Sequence, residues 1–423
     1  MNVVSSKSVS KNSQKGVSSM LNDLFAQRVN PDVPSALSGL FPQDDDPRAI
    51  SFAAGSPNES LFPVAAMQTA FDTAIAQAGA HLFQYQTAQG NPALRAKLAA
   101  RIGKWGQVTT TADNVVLTVG GQQAIELVAK ALLNVGDEVA VEVPTYVGAL
   151  AAFDLYQPTY HAVPLQADGL DLDVLEATLK RHPGIKLLYT VPDYHNPTGI
   201  TMSVAKRQQL VALANRYNFI ILEDSPYRDL GYVHAPLPAI KSFDTEGRVV
   251  FVSSLSKILM PGLRTGWLVA DHDLLAAIMR VRLASDLETS NVVHAAIDAY
   301  MDANDLDAHI TALKASYCQQ CAAMVRALAA YFPDDVSYTQ PAGGFFDWVT
   351  LPEEIDAAAL LRDTVIPQAH VSYVPGTNFY PNRDVHNSLR LCFTGLTPDV
   401  IDAGMHRLGN AVKGAVRGVK PVV

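Results

Sequence analysis

Between about residues 60 and 290 the chain alternates short apolar runs with amphipathic stretches, and few folds accept that order. The runs Asn114 to Val119, Glu138 to Val143, Lys186 to Val191, Phe219 to Glu223, Arg248 to Ser253 and Gly266 to Ala270 are rich in Val, Ile, Leu and Phe. They do not alternate apolar with polar residues, which is the pattern of strands buried on both faces. Between them, Gly121 to Asn134 sets Ile125, Val128 and Leu132 on one helical stripe, and Met202 to Tyr217 does the same with Leu210, Val211 and Ala214. The order predicts an α/β domain with a mostly parallel sheet.

After about residue 290 the simple alternation stops. A long Ala-rich helix is expected from Val292 towards Tyr331, then strands near Val336 to Tyr338 and Gly344 to Val349, and a helix from Ile355 to Arg362. Further strands are expected at Val371 to Val374 and Ser388 to Phe393, with a last helix from Pro398. This reads as a smaller α+β domain. A chain of 423 residues exceeds what one core usually organises. The expected division is a disordered Ser- and Lys-rich tail (1–19), an N-terminal segment belonging to the small domain or forming a substrate lid (20–59), a large domain (60–290) and a small C-terminal domain (291–423).

Apolar residues at 48% and charged residues at 17% suit a large buried interior. A formal charge of -9 argues against a nucleic-acid surface. No apolar stretch approaches the roughly 18 to 20 residues that a membrane-spanning helix needs, and the first residues lack the apolar region of a signal peptide. Cys318 and Cys321 form a C-x-x-C without a second ligand pair, so no metal is called for and reduced thiols in the cytoplasm are expected.

A doubly wound sheet binds ligands beyond the carboxyl ends of its strands, and four such ends carry unusual polar residues. Thr118-Val119-Gly120-Gly121-Gln122-Gln123 joins a strand to a helix; its glycines serve either a tight turn or an anion at the helix N-terminus. In Asp193-Tyr194-His195-Asn196-Pro197-Thr198-Gly199 the Asn-Pro step reads as a turn, and His195 as a solvated loop residue. Phe219-Ile-Ile-Leu-Glu-Asp224-Ser-Pro-Tyr227 drives four apolar residues into two carboxylates. Asp224 there either caps a helix or needs a buried cation or donor. Ser254-Leu-Ser256-Lys257 follows another buried run and leads to Arg264; desolvation and a nearby cation both depress a lysine pKa.

Together these segments resemble the fold-type I pyridoxal 5'-phosphate (PLP) enzymes, and within them the class I aminotransferases close to the 2-aminoadipate and kynurenine-type enzymes. The resemblance runs over roughly residues 49 to 415 and rests on ISFAAGSPNESLFP (50–63), QYQTAQGNPALR (84–95), GGQQAIELVAKALL (120–133), EVPTYVGAL (142–150), DYHNPTG (193–199), EDSPYRDL (223–230), SLSKILMPGLRTGW (254–267) and SLRLCFT (388–394). It implies that Lys257 carries PLP as a Schiff base and shuttles a proton, moving an amino group from an L-amino acid to a 2-oxo acid. Asp224 would pair with the pyridinium N–H, Tyr146 would stack on the ring, and Asn196 and Tyr227 would bond its 3'-oxygen. Gly121, Gln122, Ser254, Ser256 and Arg264 would hold the phosphate. Arg390, with Asn196 and Gly55, would bind the substrate. Tyr85 would reach a neighbour's phosphate in a homodimer with shared sites.

The resemblance leaves other PLP reactions open, namely decarboxylation, β-elimination and cyclisation. A regulator with an aminotransferase-like domain is a remote alternative, because some 48 residues before Ala49 are too few for a winged-helix module. Two departures bear on substrate. Asn22 stands where the group often has an arginine for a side-chain carboxylate, a role open to Arg28, and 29–48 is longer than the usual connection.

Overall fold

Each of the six apolar runs forms a strand, with ends displaced by a residue at most. The computed structural model describes residues 24–29 and 46–419; the expected tail, Asn22 and half of the 20–59 segment lie outside the described residues. In chain order the first strands are β1 (Ile50–Ser51), β2 (Val115–Thr118), β3 (Glu138–Val143), β4 (Thr159–Gln166), β5 (Gly169–Leu170), β6 (Ile185–Thr190), β7 (Ile220–Asp224), β8 (Val249–Ser254) and β9 (Gly266–Val269). All but β1 build one sheet in the order β2-β9-β8-β7-β6-β3-β4-β5. From β8 to β4 every pairing is parallel, and β9 runs antiparallel to both of its neighbours.

The strands hold because both faces are covered. Successive residues point to opposite sides: Leu222 joins Ile125, Val128 and Phe251 on one face, whereas Ile221 joins Leu179, Leu188 and Leu210 on the other. Full burial of a Leu, Ile or Phe side chain contributes about 1.5–3 kcal/mol, so a doubly covered strand gains on every residue. β4 was not among the expected strands. Its exposure changes from residue to residue and only Val163 is buried, so it lacks the continuous apolar run that marks the central strands.

The remaining strands are β10 (Ser337–Tyr338), β11 (Phe346–Thr350), β12 (Val371–Ser372), β13 (Val374–Pro375) and β14 (Ser388–Cys392). They form an antiparallel sheet in the order β10-β11-β14-β13, while β12 pairs in parallel with β1. Phe52 follows β1 into a second core with Val349, Leu391 and Met405. The expected helix from Val292 is two helices, Asn291–Ala303 and Leu306–Tyr331. The break is local: the Asp305 carboxylate accepts from the N–H groups of Asp307 and Ala308 and starts the second helix. That helix spans both cores, with Ile310 and Tyr317 in the first and Met324 and Leu328 in the second. Among the described residues no helix is long and apolar enough to cross a membrane.

Candidate active site

A cavity of about 330 Å³ lies at the carboxyl ends of β6, β7 and β8, where they meet β11 and β14. Of the residues that the resemblance gave to the cofactor or the substrate α-carboxylate, all line it except Tyr85, which stands in solvent, 77% exposed.

The floor is set by β7. Asp224 ends that strand and is buried, with the Tyr189 hydroxyl donating to Oδ2 at 2.7 Å. Tyr189 was given no role from sequence, yet the register explains it: Tyr189 pairs with Leu222, two residues before Asp224, so both side chains share a face. Burial raises the Asp224 carboxyl to about 7, against the lowering effects of Tyr189 and Lys257. Behind it, His195 is buried rather than solvated. Its Nε2 lies 3.2 Å from Glu142 Oε2 and its Nδ1 2.9 Å from Thr198 Oγ1. His195 thus packs against Glu142 of β3, a placement that a reading confined to the loop could not supply.

Lys257 sits in the turn after β8, and its Nζ donates to the Gly55 carbonyl at 2.7 Å. Burial lowers its amine to about 8, with Arg390 and Arg264 acting in the same direction and Asp224 against it. The flanking serines are tied together: Ser254 Oγ donates to Ser256 Oγ at 2.8 Å and accepts from the Ser256 N–H at 3.1 Å. Arg264 adopts a left-handed backbone and donates to the Val119 carbonyl at 3.2 Å. A Cβ on Gly120 would lie 2.6 Å from the Arg264 guanidinium. The Gly pair therefore does more than turn the chain, since it lets an arginine close on the first turn of the helix Gly120–Leu132.

One wall is aromatic. Tyr146 precedes the helix Val147–Asp154, its hydroxyl donates to Gln122 Oε1 at 3.5 Å, and burial pushes it up to about 12. Tyr227 is buried and accepts from Asn196 Nδ2 at 3.5 Å. On β14, Arg390 donates to Asn196 Oδ1 (2.9 Å) and to the Ala53 carbonyl (2.8 Å), and its Nε is buried without a partner. The guanidinium lies 4.3 Å from the Phe346 ring and 5.2 Å from that of Phe379. Phe346, on β11, is a second residue that its apolar strand context had hidden.

Two arginines, a buried carboxylate and an amine depressed by burial thus share one pocket with aromatic walls. A profile of the family described as aminotransferase class I and II matches residues 48–408. The chain is 37% identical to the aromatic-amino-acid aminotransferase 1 of Thermococcus litoralis over 368 residues, 86% of this chain and 88% of that one. The fold is similar to that of a Pyrococcus horikoshii kynurenine aminotransferase solved with pyridoxamine phosphate and kynurenine (TM-score 0.88, 36% identity, covering 94% of this chain and 99% of the other). It is also similar to that of the α-aminoadipate aminotransferase of Thermus thermophilus in complex with a phosphopyridoxyl-leucine (TM-score 0.86, 31% identity, covering 94% and 100%).

The chain belongs to the class I and II aminotransferases. It is a PLP-dependent enzyme of the fold-type I architecture, and its substrates are amino acids and 2-oxo acids. The residues present fit that cofactor. Asp224 is a buried carboxylate with one protein donor, so a ring N–H would complete it. The Gly120 position leaves no room for a side chain beside Arg264, and the helix N-terminus there favours a phosphate.

Proposed function

We propose that Lys257 is the amine that carries the cofactor and, once released, moves the proton between the substrate Cα and the cofactor. The observation that carries this is its place: a depressed amine, held by the Gly55 carbonyl, in the cavity that also contains Asp224. Bound PLP supplies an electron-withdrawing ring and a carbonyl that accepts the amino group. Asp224, oriented by Tyr189, would hold the ring nitrogen protonated. Gly121, Gln122, Ser254, Ser256 and Arg264 would hold the phosphate. Asn196 and Tyr227 would donate to the ring oxygen, and Tyr146 would pack against the ring. Arg390 takes the substrate α-carboxylate through its unpartnered Nε and the edge of its fork.

We assign the donors to amino acids with apolar or aromatic side chains. Among the described residues lining the cavity the cations are Lys257, Arg264 and Arg390, and each already has a task. Arg28 lies in the turn Gln27–Val29, exposed and near Tyr156, away from that lining. The likeness to an aromatic-amino-acid aminotransferase supports the same reading. A single-turnover panel tests it, following loss of the bound-cofactor absorbance. Phenylalanine, tyrosine and leucine should react faster than glutamate and 2-aminoadipate; the reverse order would refute the assignment.

A homodimer with Tyr85 reaching the partner's phosphate is proposed on the surface around it. Gln86 N–H donates to Glu288 at 2.7 Å, linking two segments that carry the exposed Phe83, Tyr85 and Leu287, apolar side chains suited to cover by another chain. Tyr85→Ala should weaken phosphate-dependent cofactor retention without altering the monomer's fold. Residues 20–59 are proposed to work with the smaller sheet as a lid. The Ala53 and Gly55 carbonyls receive Arg390 and Lys257, and removal of residues 1–45 should change turnover. Three free cysteines support a reducing, cytoplasmic setting.

A further inference from the structure

At the opposite end of the large sheet, Glu138 opens β3. In the parallel β3–β4 pair Glu138 stands beside Thr159 and Ala140 beside His161. His161 therefore projects from the face that carries Glu138 and Ala140, one diagonal step away. His182 reaches the same place from another segment: it ends the helix Leu172–Arg181, with its N–H bonded to the Thr178 carbonyl.

Three unlinked segments thus bring an imidazole, a carboxylate and an imidazole together. Glu138 Oε1 lies 3.2 Å from His161 Nε2 and 3.3 Å from His182 Nδ1, and all three ligand atoms fall within 4.8 Å of one another. The two rings are tilted by 38° to one another with centroids 4.1 Å apart. Tetrahedral zinc with nitrogen and oxygen ligands at about 2.0–2.2 Å has ligand-to-ligand edges of about 3.4 Å. Two edges are already near that length, and the third lies within 4.8 Å. Asp137 does not compete, because its Oδ2 accepts from Lys186 Nζ (2.6 Å) and Asn134 N–H (2.7 Å). At Gly184 a Cβ would come within 2.7 Å of Glu138 Oε2, so a glycine there leaves that carboxylate free to reorient.

We propose that Glu138, His161 and His182 form a binding site for a zinc-class divalent transition metal, separate from the active site and joining β3, β4 and the helix before β6. Two imidazole nitrogens select zinc and its neighbours over magnesium or calcium, which take oxygen ligands. The fourth position belongs to water, on the side where the His182 side chain is 39% exposed. No spacing motif announces the site, since its ligands are scattered over three separate elements.

Full-length PLP-loaded enzyme, free of tag histidines and stripped with a chelator, tests this directly. After dialysis against zinc chloride, bound metal is counted by mass spectrometry and thermal unfolding is followed in parallel. The wild type should retain one zinc per chain and gain melting temperature with zinc, as a ligand specific to the folded state requires. His182→Ala and Glu138→Gln should lose both effects. His272→Ala, in a side chain fully in solvent, and Cys318→Ser should keep both. Zinc absent from the wild type, or retained undiminished by His182→Ala and Glu138→Gln, would overturn the proposal and leave the cluster a hydrogen-bonded triad only.

Discussion

Two buried charge clusters flank the end of β7, one on each face, and they are completed differently. Behind the sheet, Glu223 accepts from the N–H groups of Ile240 and Lys241 at 2.9 and 2.8 Å. Beside it, Arg207 donates to the carbonyls of Met202, Pro238 and Pro192 and to Asp193 Oδ1 at 2.6 Å, so each of its nitrogens is used. On the cavity face the neighbouring residue, Asp224, has one donor, and Arg390 is buried with an unpartnered Nε and no carboxylate among the described residues. Burial is the same on both faces. Arg207 and Glu223, each with its partners supplied by the chain, hold structure; Asp224 and Arg390 keep acceptor and donor capacity over inside a cavity, where a ligand would complete them.

Substitutions on the two faces should separate along those lines. Lys257→Ala should remove the bound-cofactor absorbance and lower kcat by roughly 10⁴-fold, the upper range for a lost acid–base group, with the melting temperature of the cofactor-free protein little changed. Arg207→Ala should do the opposite. It strands the Asp193 carboxylate, whose pKa is held below its usual value by Arg207 and Arg228 despite burial. Breaking such a pair costs about 3–5 kcal/mol of stability, measurable by denaturant unfolding, while the folded fraction still binds cofactor. If Arg207→Ala instead abolished cofactor binding at full stability, the contrast between the faces would fail. Arg390→Lys is smaller: losing the fork to a carboxylate costs about 1.5–3 kcal/mol, or roughly 10- to 150-fold in kcat/KM for the donor, with stability unchanged.

How much of this was legible in the sequence follows from what each feature depends on. β3 was located to the residue because Val139, Ala140 and Val141 are continuous and buried on both sides. β4 escaped because its polar, half-exposed residues carry no such run. Lys257, Asp224 and Arg390 stood out as charges where apolar strands end or turn polar, within segments that resemble a known family. Tyr189 and Phe346 did not, since an aromatic residue in an apolar run looks like core until strand register shows which face it shares. His195 was misjudged for the same reason: its partner Glu142 is on another strand. Glu138, His161 and His182 come from three elements, and only the β3–β4 register brings the first two onto one face.

The unfinished state of the cavity face also has a pH signature. The Asp224 carboxyl is raised by burial from 3.8 to about 7 in the absence of a ring nitrogen partner. A carboxyl with a higher pKa folded than unfolded binds more protons in the native state across that interval, so stability falls as pH rises from about 4 to about 7. Above that range the cofactor-free protein carries the full cost of an ionised, half-partnered carboxylate. Asp224→Asn keeps the shape and an oxygen acceptor for Tyr189 but cannot ionise. The cofactor-free variant should therefore melt above the cofactor-free wild type at pH 8, by on the order of a few °C, and the gap should shrink towards pH 5. With cofactor bound, the ring N–H would partner the carboxylate and the wild type should recover the lead at pH 8. A gap independent of pH would mean that Asp224 does not titrate across this interval in the cofactor-free protein, and the ligand-dependent reading of the cavity face would not hold.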